Sequence, residues 1–350
     1  MRDLRSMTLP EMEDVFVNEY NEKRFRAAQV YEWINKKHVT SFGEMTNVSA
    51  GLRSRLALDF HISSSRIKEK HISSDGFTTK YLFELEKDTI IECVAMKYSY
   101  GRSVCVSMQA GCRMGCVFCA STVFAGGGLS RDLTAGEISA QVYEIQKDIG
   151  ERVSRVVVMG GGEPFDNYEN LIRFLKIIIS ERGLNLGARH ITVSTCGLAD
   201  KIREFADEGT QVNLAVSLHA PDDGLRKTLL PIARKYELNE LLSACVYYSE
   251  KTGRRVTYEY ALIDGINDSA DNAKTLGALL KGTLSHVNLI PLNEIPEGIY
   301  RASGKKTVEA FALSLTKQGI ETTVRRGLGG DVNGACGQLR FNHILQGSDA

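Results

Sequence analysis

The sequence has no long apolar run, no net charge and little proline. No apolar stretch of the 350 residues approaches the roughly 20 that a membrane-spanning helix needs, so we expect no such helix. Residues 1–10 lack the apolar core of a signal peptide, so we expect a cytoplasmic protein that does not contact the membrane. The six prolines are scattered, and we find no Pro-rich linker, low-complexity tract or internal repeat.

The charges balance, with 43 Lys and Arg residues against 43 Asp and Glu residues. The sequence therefore lacks the basic excess that often marks a nucleic-acid-binding protein. Local basic pairs remain candidates for RNA contact, in particular Arg24 with Arg26 and Arg53 with Arg55. A solvated face is the simpler interpretation of each pair taken alone.

The pattern of apolar residues changes along the chain. Helical periodicity marks residues 11–20, 27–37 and 42–58, and a hairpin-like connector follows, with strands at 81–85 and 89–94 and turn residues at 74–76. After the connector, strands and helices alternate. The predicted strands of this part are residues 103–107, 153–159, 190–194, 212–217, 256–262, 286–291 and 321–325. Apolar runs such as Val156-Val157-Val158-Met159 are typical of parallel strands buried on both faces, which predicts an α/β fold with an open or closed (β/α) barrel.

The length of 350 residues exceeds the usual size of a single core, so we expect one main domain with an extension. We assign residues 1–90 to an N-terminal helical accessory domain and its connector, 91–330 to the barrel, and 331–350 to a C-terminal segment. Ligands of such folds bind at the carboxyl ends of the strands. The polar motifs of this sequence fall at those ends.

Cys112, Cys116 and Cys119 form a Cys-x3-Cys-x2-Cys motif on the loop after the first predicted barrel strand. Clustered cysteines in a cytosolic protein more often bind metal than form disulfides. Three thiolates at this spacing can hold three irons of a [4Fe–4S] cluster and leave the fourth iron open for a ligand. The alternative is a structural zinc site, for which this loop lacks a fourth ligand unless Cys105 or a distant residue supplies it.

Polar groups follow several other predicted strands. Gly162 and Glu163 come after the second barrel strand, where glycine lets a ligand approach the backbone and glutamate can pair with an ammonium group. Further strand ends carry Ser194, Ser217, Leu218, His219 and Asn293. Each residue alone is as well explained by a turn, a cap or a rim histidine. Their placement on successive strand ends favours a ligand-lined mouth.

The cysteine motif, Cys-x3-Cys-x-Phe-Cys after the first strand of a β/α barrel, resembles that of the radical S-adenosylmethionine (SAM) superfamily. Within that superfamily, the chain resembles the RlmN/Cfr family of dual-cysteine RNA methylases over about residues 8–340. The most specific match outside the cluster motif is Ala335-Cys336-Gly337-Gln338-Leu339. Further matches are Glu92 and residues 24–30, 42–46, 74–76, 104–107, 162–164, 193–195, 217–221 and 288–291.

The resemblance implies a partial (β/α)6-type radical SAM barrel that carries one [4Fe–4S] cluster per chain on the three motif cysteines. Two SAM molecules are consumed per turnover, and Gly162 with Glu163 binds the methionine amino group. The other polar strand ends contact the ribose, carboxylate or adenine of SAM. We further expect a monomer that receives electrons from a donor such as flavodoxin or ferredoxin and docks RNA through its N-terminal domain.

The resemblance also assigns catalytic roles to Cys336, Cys105 and Glu92. The C2 and C8 carbons of adenine are poor nucleophiles, so Cys336 first accepts a methyl group from one SAM, and a radical from a second SAM removes hydrogen from that methyl. The carbon radical adds to adenine and Glu92 accepts the ring proton. Cys105 then attacks Cys336 and releases the product with a transient disulfide. The implied substrate is adenine C2 in 23S rRNA, with tRNA as a second substrate.

Two alternatives stay open. Pro164 after Glu163 resembles the C2 methylases, whereas the C8 methylases that confer antibiotic resistance tend to have alanine there, so C2 is favoured over C8. The runs Gly-Gly-Gly-Glu-Pro-Phe and Ser-Thr-Cys-Gly depart from the usual family patterns and leave the branch open. The alternative of another class is a non-catalytic, metal-stabilised RNA-binding protein. We interpret Cys93, Cys196 and Cys245 as structural.

Overall fold

The computed structural model describes residues 1–86, 89–123, 129–294 and 298–325. The predicted C-terminal segment, with Cys336, lies outside the described residues. In the part of the chain that is described, no helix combines the length and the apolar character needed to cross a membrane.

The N-terminal residues form a helical module with its own hydrophobic core. Its helices are α1 (Leu9–Asn18), α2 (Arg24–Asn35) and α3 (Ala50–Asp59), and its two short strands, β1 (Arg2–Asp3) and β2 (Phe60–His61), pair in parallel. Helix α1 begins at a capping box, in which the Glu11 carboxylate accepts a hydrogen bond from the Thr8 N–H at 2.8 Å. The core of the module includes Met12, Phe16, Val30, Tyr31 and Ile34.

A ten-stranded sheet organises the remainder of the described chain. The strands of this part of the chain, inside and outside the ten-stranded sheet, are β3 (Arg66–Ile72), β4 (Thr78–Glu84), β5 (Ile90–Tyr98), β6 (Gly101–Cys105), β7 (Gln109–Gly111), β8 (Leu129–Asp132), β9 (Val153–Val158), β10 (Ile191–Thr195), β11 (Asn213–Ser217), β12 (Val256–Leu262), β13 (Ser285–Pro291) and β14 (Thr322–Val324). Strands β7 and β8 pair only with each other, and the others follow the order β14-β13-β12-β11-β10-β9-β6-β5-β4-β3. The strands from β14 to β6 are parallel, and β5, β4 and β3 continue the sheet in antiparallel fashion.

Helices connect the parallel strands. They are α4 (Ala120–Val123), α5 (Ala135–Ile149), α6 (Tyr168–Ile179), α7 (Ala199–Asp207), α8 (Asp223–Leu229), α9 (Leu238–Thr252), α10 (Ala270–Leu280) and α11 (Lys305–Lys317). Helix α5 begins at a capping box formed by Thr134 and Glu137 and buries Ile138, Val142 and Ile145 on the face that packs into the main core. The helices therefore supply the apolar layer against one face of the sheet.

The prediction of a partial barrel built from parallel strands is confirmed, and each predicted barrel strand lies within two residues of an observed one. Among the described residues the sheet does not close, because β14 and β3 form its two edges. Strand β3 was not predicted, since its charged sequence Arg-Ile-Lys-Glu-Lys-His-Ile lies mostly exposed at an edge and lacks a buried apolar face. The predicted turn at residues 74–76 joins β3 to β4, so the connector belongs to the same sheet as the barrel strands.

The N-terminal module docks on the barrel through buried polar contacts. The guanidinium of Arg5 is fully buried, donates to the carbonyls of Ser63 at 2.5 Å and Val39 at 2.7 Å, and lies 5.5 Å from the ring of Tyr143 on α5. Gly136, in the first turn of α5, donates its N–H to the Ser6 hydroxyl at 2.9 Å. A Cβ at Gly136 would overlap side chains of the module, so the close approach requires glycine there.

Replacing Arg5 by methionine should lower the free energy of unfolding by about 2–4 kcal/mol, because two carbonyl groups would stay buried without their donor. Urea denaturation followed by circular dichroism measures this change. Arg2→Met is the matched control, since the Arg2–Glu19 pair is about half exposed and should contribute less than about 1 kcal/mol. Equal effects of the two substitutions would contradict the role assigned to Arg5.

Candidate active site

Side chains of each strand alternate between the two faces of the sheet. The outer face carries apolar side chains that pack against the helices, among them Val104, Val156, Val193, Val216, Tyr258 and Leu289. The pairing register places a second set together on the opposite, inner face, namely Glu92, Cys105, Ser194, Ser217, Glu259 and Asn288. These six polar side chains thus share one face.

A cavity of about 290 Å³ opens at the carboxyl ends of the parallel strands. The predicted residues that line it are Cys112, Cys116, Cys119, Gly162, Glu163, Ser194, Ser217, His219 and Asn293. Leu218 lies differently: its side chain packs in the main hydrophobic core, and its N–H donates to the Glu259 carbonyl at 3.0 Å. The structure therefore brings the cysteine loop and the strand-end groups together around one space of ligand size.

The cysteine loop rests on α8 and the turn that follows it. The N–H of Val117 donates to the carbonyl of Leu229 at 3.1 Å, and the N–H of Cys119 donates to the carbonyl of Cys116 at 3.2 Å. The fully buried Arg226 of α8 donates to the carbonyl of Cys196 at 2.7 Å. Helix α8 therefore connects the cysteine loop to the end of β10. The sequence did not predict this connection.

Burial raises the pKa of the Cys112 thiol to about 12 and that of Cys116 well above its ordinary value, and neighbouring thiols of the motif add to both shifts. These two thiols therefore favour their protonated forms until a metal displaces the protons. Among the described residues, no three His, Cys, Asp or Glu side chains converge where a single metal ion could bind. A cluster does not need such convergence, because each thiolate binds a different iron. Three soft thiolates beside an open cavity fit a [4Fe–4S] cluster better than a closed zinc site.

Gly162 and Glu163 form the cavity wall at the end of β9. Gly162 has a φ of 97°, and a Cβ there would lie 2.5 Å from Gln109, so only glycine fits this turn. The Glu163 carboxylate accepts hydrogen bonds from the N–H groups of Cys196 at 2.7 Å and Phe165 at 3.0 Å. Burial raises the pKa of Glu163, and these bonds oppose the rise. An ammonium group in the cavity would stabilise the charged carboxylate further.

His219 is held as a neutral imidazole. Its Nδ1 accepts a hydrogen bond from the Ala261 N–H at 2.9 Å, so the neutral ring carries its proton on Nε2. Burial lowers the pKa of His219 to about 3, and the charge of Arg226 adds to the decrease. The ring packs edge-on against Phe118 of the cysteine loop, with 4.9 Å between ring centroids. His219 therefore offers a fixed donor to a ligand instead of a titrating group.

Glu92 and Cys105 do not line the cavity but lie on the inner face beside it. Cys105 ends β6, opposite Val94 of β5, and Glu92 lies two residues before Val94. Glu92 forms a buried ion pair with Lys80 of β4, with 3.4 Å between Oε2 and Nζ. Burial raises the pKa of the Cys105 thiol to about 11, while Arg325 and Lys80 lower it and Glu92 raises it. The structure thus brings these two predicted residues together, whereas Cys336 lies outside the described residues.

Glu259 and Arg325 also line the cavity, although they were not among the predicted site residues. The buried Glu259 carboxylate accepts a hydrogen bond from Asn288 at 2.8 Å and pairs with Arg325 at 3.4 Å. Burial raises the pKa of Glu259, and both partners oppose the rise. A signal was present for Glu259, which is the single charged residue of the apolar strand Val256–Leu262.

The basic residues proposed for RNA contact lie on the N-terminal module, each in a different environment. Arg24 is exposed at the start of α2, and Arg26 lies over the ring of Phe25 at 4.7 Å. Arg53 donates to the Gly43 carbonyl at 2.6 Å, and Arg55 lies over the ring of Tyr20 at 4.8 Å. These contacts hold the guanidinium groups in place at the surface of the module.

Two family models match the chain. The model of the radical SAM superfamily matches residues 106–275, which include the cysteine loop and most of the parallel strands. The model described as the ribosomal RNA large subunit methyltransferase N-terminal domain matches residues 2–62, the helical module. The fold and the matched models define a radical SAM enzyme, whose cofactors are a [4Fe–4S] cluster and SAM.

Relatives match nearly the whole chain. A probable dual-specificity RNA methyltransferase RlmN from Clostridium novyi is 52% identical over 98% of this chain and 99% of its own. A protein of the same description from Alkaliphilus oremlandii is 52% identical over 98% of each chain. The crystal structure of a radical SAM methyltransferase from Sphaerobacter thermophilus is 42% identical, with a TM-score of 0.89 over 97% of this chain and 99% of that one. The chain therefore belongs to the RlmN family of radical SAM RNA methyltransferases.

Replacing Cys112, Cys116 or Cys119 by alanine should each abolish cluster binding, because two thiolates cannot hold three irons. The iron and sulfide content of anaerobically reconstituted protein, with its visible absorption, measures the loss. Cys245→Ala is the control, since Cys245 is a buried cysteine that lies outside the cavity lining. Bound zinc in place of iron, or a cluster retained by the loop variants, would contradict the assignment.

Proposed function

We propose that this enzyme methylates C2 of an adenine in 23S rRNA and an adenine in tRNA, through a methylated Cys336. The observation that carries the proposal is the cavity at which the three motif thiols meet Glu163 and the strand-end groups, with Cys105 and Glu92 on the adjoining inner face. The match of the N-terminal module to a large-subunit rRNA methyltransferase domain supports the rRNA substrate. The dual specificity in the relatives' names supports tRNA as the second substrate, and Pro164 favours C2.

Different residues of the cavity bind the cluster and SAM. Cys112, Cys116 and Cys119 hold the cluster, and Glu163 pairs with the ammonium group of SAM at the turn made by Gly162. Ser194, Ser217, His219 and Asn293 line the rest of the space with neutral polar groups, which suit hydroxyl, carboxylate and adenine edges. When bound, these cofactors supply the methyl group for Cys336, the carbon radical that takes hydrogen from it, and the acceptor for one electron from the adenine adduct.

The remaining steps belong to the side chains of the protein. The methylene carbon on Cys336 bonds to adenine C2, and Glu92 accepts the C2 proton while the bonding electron pair stays in the ring. The Cys105 thiolate then attacks the Cys336 sulfur, so an S–S bond forms and the S–C bond breaks. The electron pair of the S–C bond stays on the methylene carbon, which takes a proton and becomes the methyl group of the product.

Reconstituted enzyme with SAM and a reductant should convert adenosine in 23S rRNA and in tRNA to 2-methyladenosine, as measured by nucleoside mass spectrometry. Cys105→Ala should instead accumulate a covalent protein–RNA adduct, because the S–C bond to Cys336 would not be broken. Cys245→Ala, a change at a buried thiol outside the cavity lining, should behave like the wild type.

Formation of 8-methyladenosine would contradict the C2 assignment and favour the alternative regiochemistry. RNA that binds but stays unmodified, with Cys336 unmethylated in the purified protein, would favour the non-catalytic RNA-binding alternative. Intact-protein mass spectrometry separates these outcomes, because the methyl group on Cys336 adds mass before any RNA is present.

RNA docking through the N-terminal module predicts a salt-dependent contribution from its basic side chains. Replacing Arg53 and Arg55 together by alanine should weaken RNA binding and reduce the slope of log K against log salt by about one to two. Arg66→Ala is the control, since Arg66 is an exposed arginine outside the module that already pairs with Glu84. An unchanged slope in the double variant would exclude this surface.

A further inference from the structure

Lys80 and Glu92 form a buried ion pair on the inner face of the sheet, next to Cys105. The side chain of Lys80 is 0% exposed and that of Glu92 is 5% exposed, with 3.4 Å between the charged groups. Lys80, Val94 and Cys105 lie in register across β4, β5 and β6, so their side chains share the face on which Glu92 lies. A lysine this deeply buried is rare unless it is paired, which makes the pairing a constraint on the site.

The backbone of Glu92 is held as well. The Ser107 hydroxyl donates to the Glu92 carbonyl at 2.7 Å, and Ser107 in turn accepts the N–H of Gly161 at 2.9 Å, beside the wall of the cavity. The carboxylate of Glu92 is thus paired with the Lys80 ammonium group, and its backbone is linked to the loop that carries Gly162 and Glu163. Among the described residues, the charged or titratable groups near Glu92 on this face include Lys80 and Cys105, and Arg325 acts on Cys105.

We propose that Lys80 is a positioning residue for the base Glu92: its ammonium group holds the buried carboxylate in place until the adenine proton is removed. This inference rests on the proposed function, in which Glu92 accepts that proton. The proton passes from C2 to the Glu92 carboxylate, the C2–H bonding pair stays in the ring, and Lys80 keeps its own proton throughout. The same cation favours the thiolate form of Cys105, which must attack next.

The geometry predicts that Lys80 affects the later steps of the reaction and not the earlier ones. Methylation of Cys336 and hydrogen removal from its methyl group need the cavity but do not need the Glu92 carboxylate. Loss of the lysine charge should therefore slow the release of product from the protein–RNA adduct and leave the earlier steps intact. A pair that only stabilised the fold would lower all steps together, in proportion to the amount of folded enzyme.

The test compares Lys80→Gln with Lys80→Arg in the reconstituted full-length enzyme. Lys80→Gln should retain Cys336 methylation and 5′-deoxyadenosine formation but release product about tenfold more slowly at neutral pH, with adduct accumulating. Lys80→Arg should restore the release rate, and Lys97→Gln, a change at an exposed lysine of β5, is the matched control.

RNA deuterated at adenine C2 allows the deuterium isotope effect to be measured, and this quantity does not depend on the amount of folded enzyme. Lys80→Gln should show a larger deuterium isotope effect on product release than the wild type, since proton removal becomes the slow step. A uniform loss of all steps with an unchanged isotope effect would overturn the role of Lys80. Wild-type enzyme that makes neither adduct nor 2-methyladenosine would instead overturn the proposed function, so the two failures are distinguishable.

Discussion

The separation of apolar and polar side chains onto opposite faces of one sheet is the constraint on which this molecule depends. Each parallel strand packs apolar side chains against the helices on its outer face, where residues such as Val156 and Tyr258 are buried. The other side chains of the same strands are then left to the inner face, where Ser217 lies beside Glu259 and Glu259 beside Asn288. Packing of the core and assembly of the site are two consequences of one alternation.

The cavity is held together by contacts between elements that are distant in sequence. The carboxylate of Glu163 ties the end of β9 to the N–H of Cys196 after β10, and Arg226 ties the same segment to α8. The cysteine loop rests on α8 in turn. The buried thiols of the loop favour their protonated forms, so cluster binding must displace protons and is coupled to pH. We therefore expect a substitution at one of these strand ends to alter the positions of the others.

The antiparallel strands β3 to β5 extend the inner face of the barrel sheet. They add Lys80 and Glu92 to an inner face that otherwise ends at Cys105, and so place a charged pair beside the thiol. The N-terminal module docks against α5 on the outer side of the sheet, through Arg5 and the side-chain-free surface of Gly136. The N-terminal module and the polar inner face thus lie on opposite sides of the sheet.

Local patterns in the sequence were sufficient for the barrel strands and the cysteine loop, because a strand period of two and a three-cysteine spacing are properties of neighbouring residues. They also indicated Glu163, Ser194, Ser217, His219 and Asn293, since the carboxyl ends of parallel strands meet at one edge. Only the tertiary structure decided that Lys80 pairs with Glu92, that Arg325 reaches Glu259, and that α8 supports the cysteine loop. Those contacts depend on the order and register of strands that lie far apart along the chain, and no local period encodes that order.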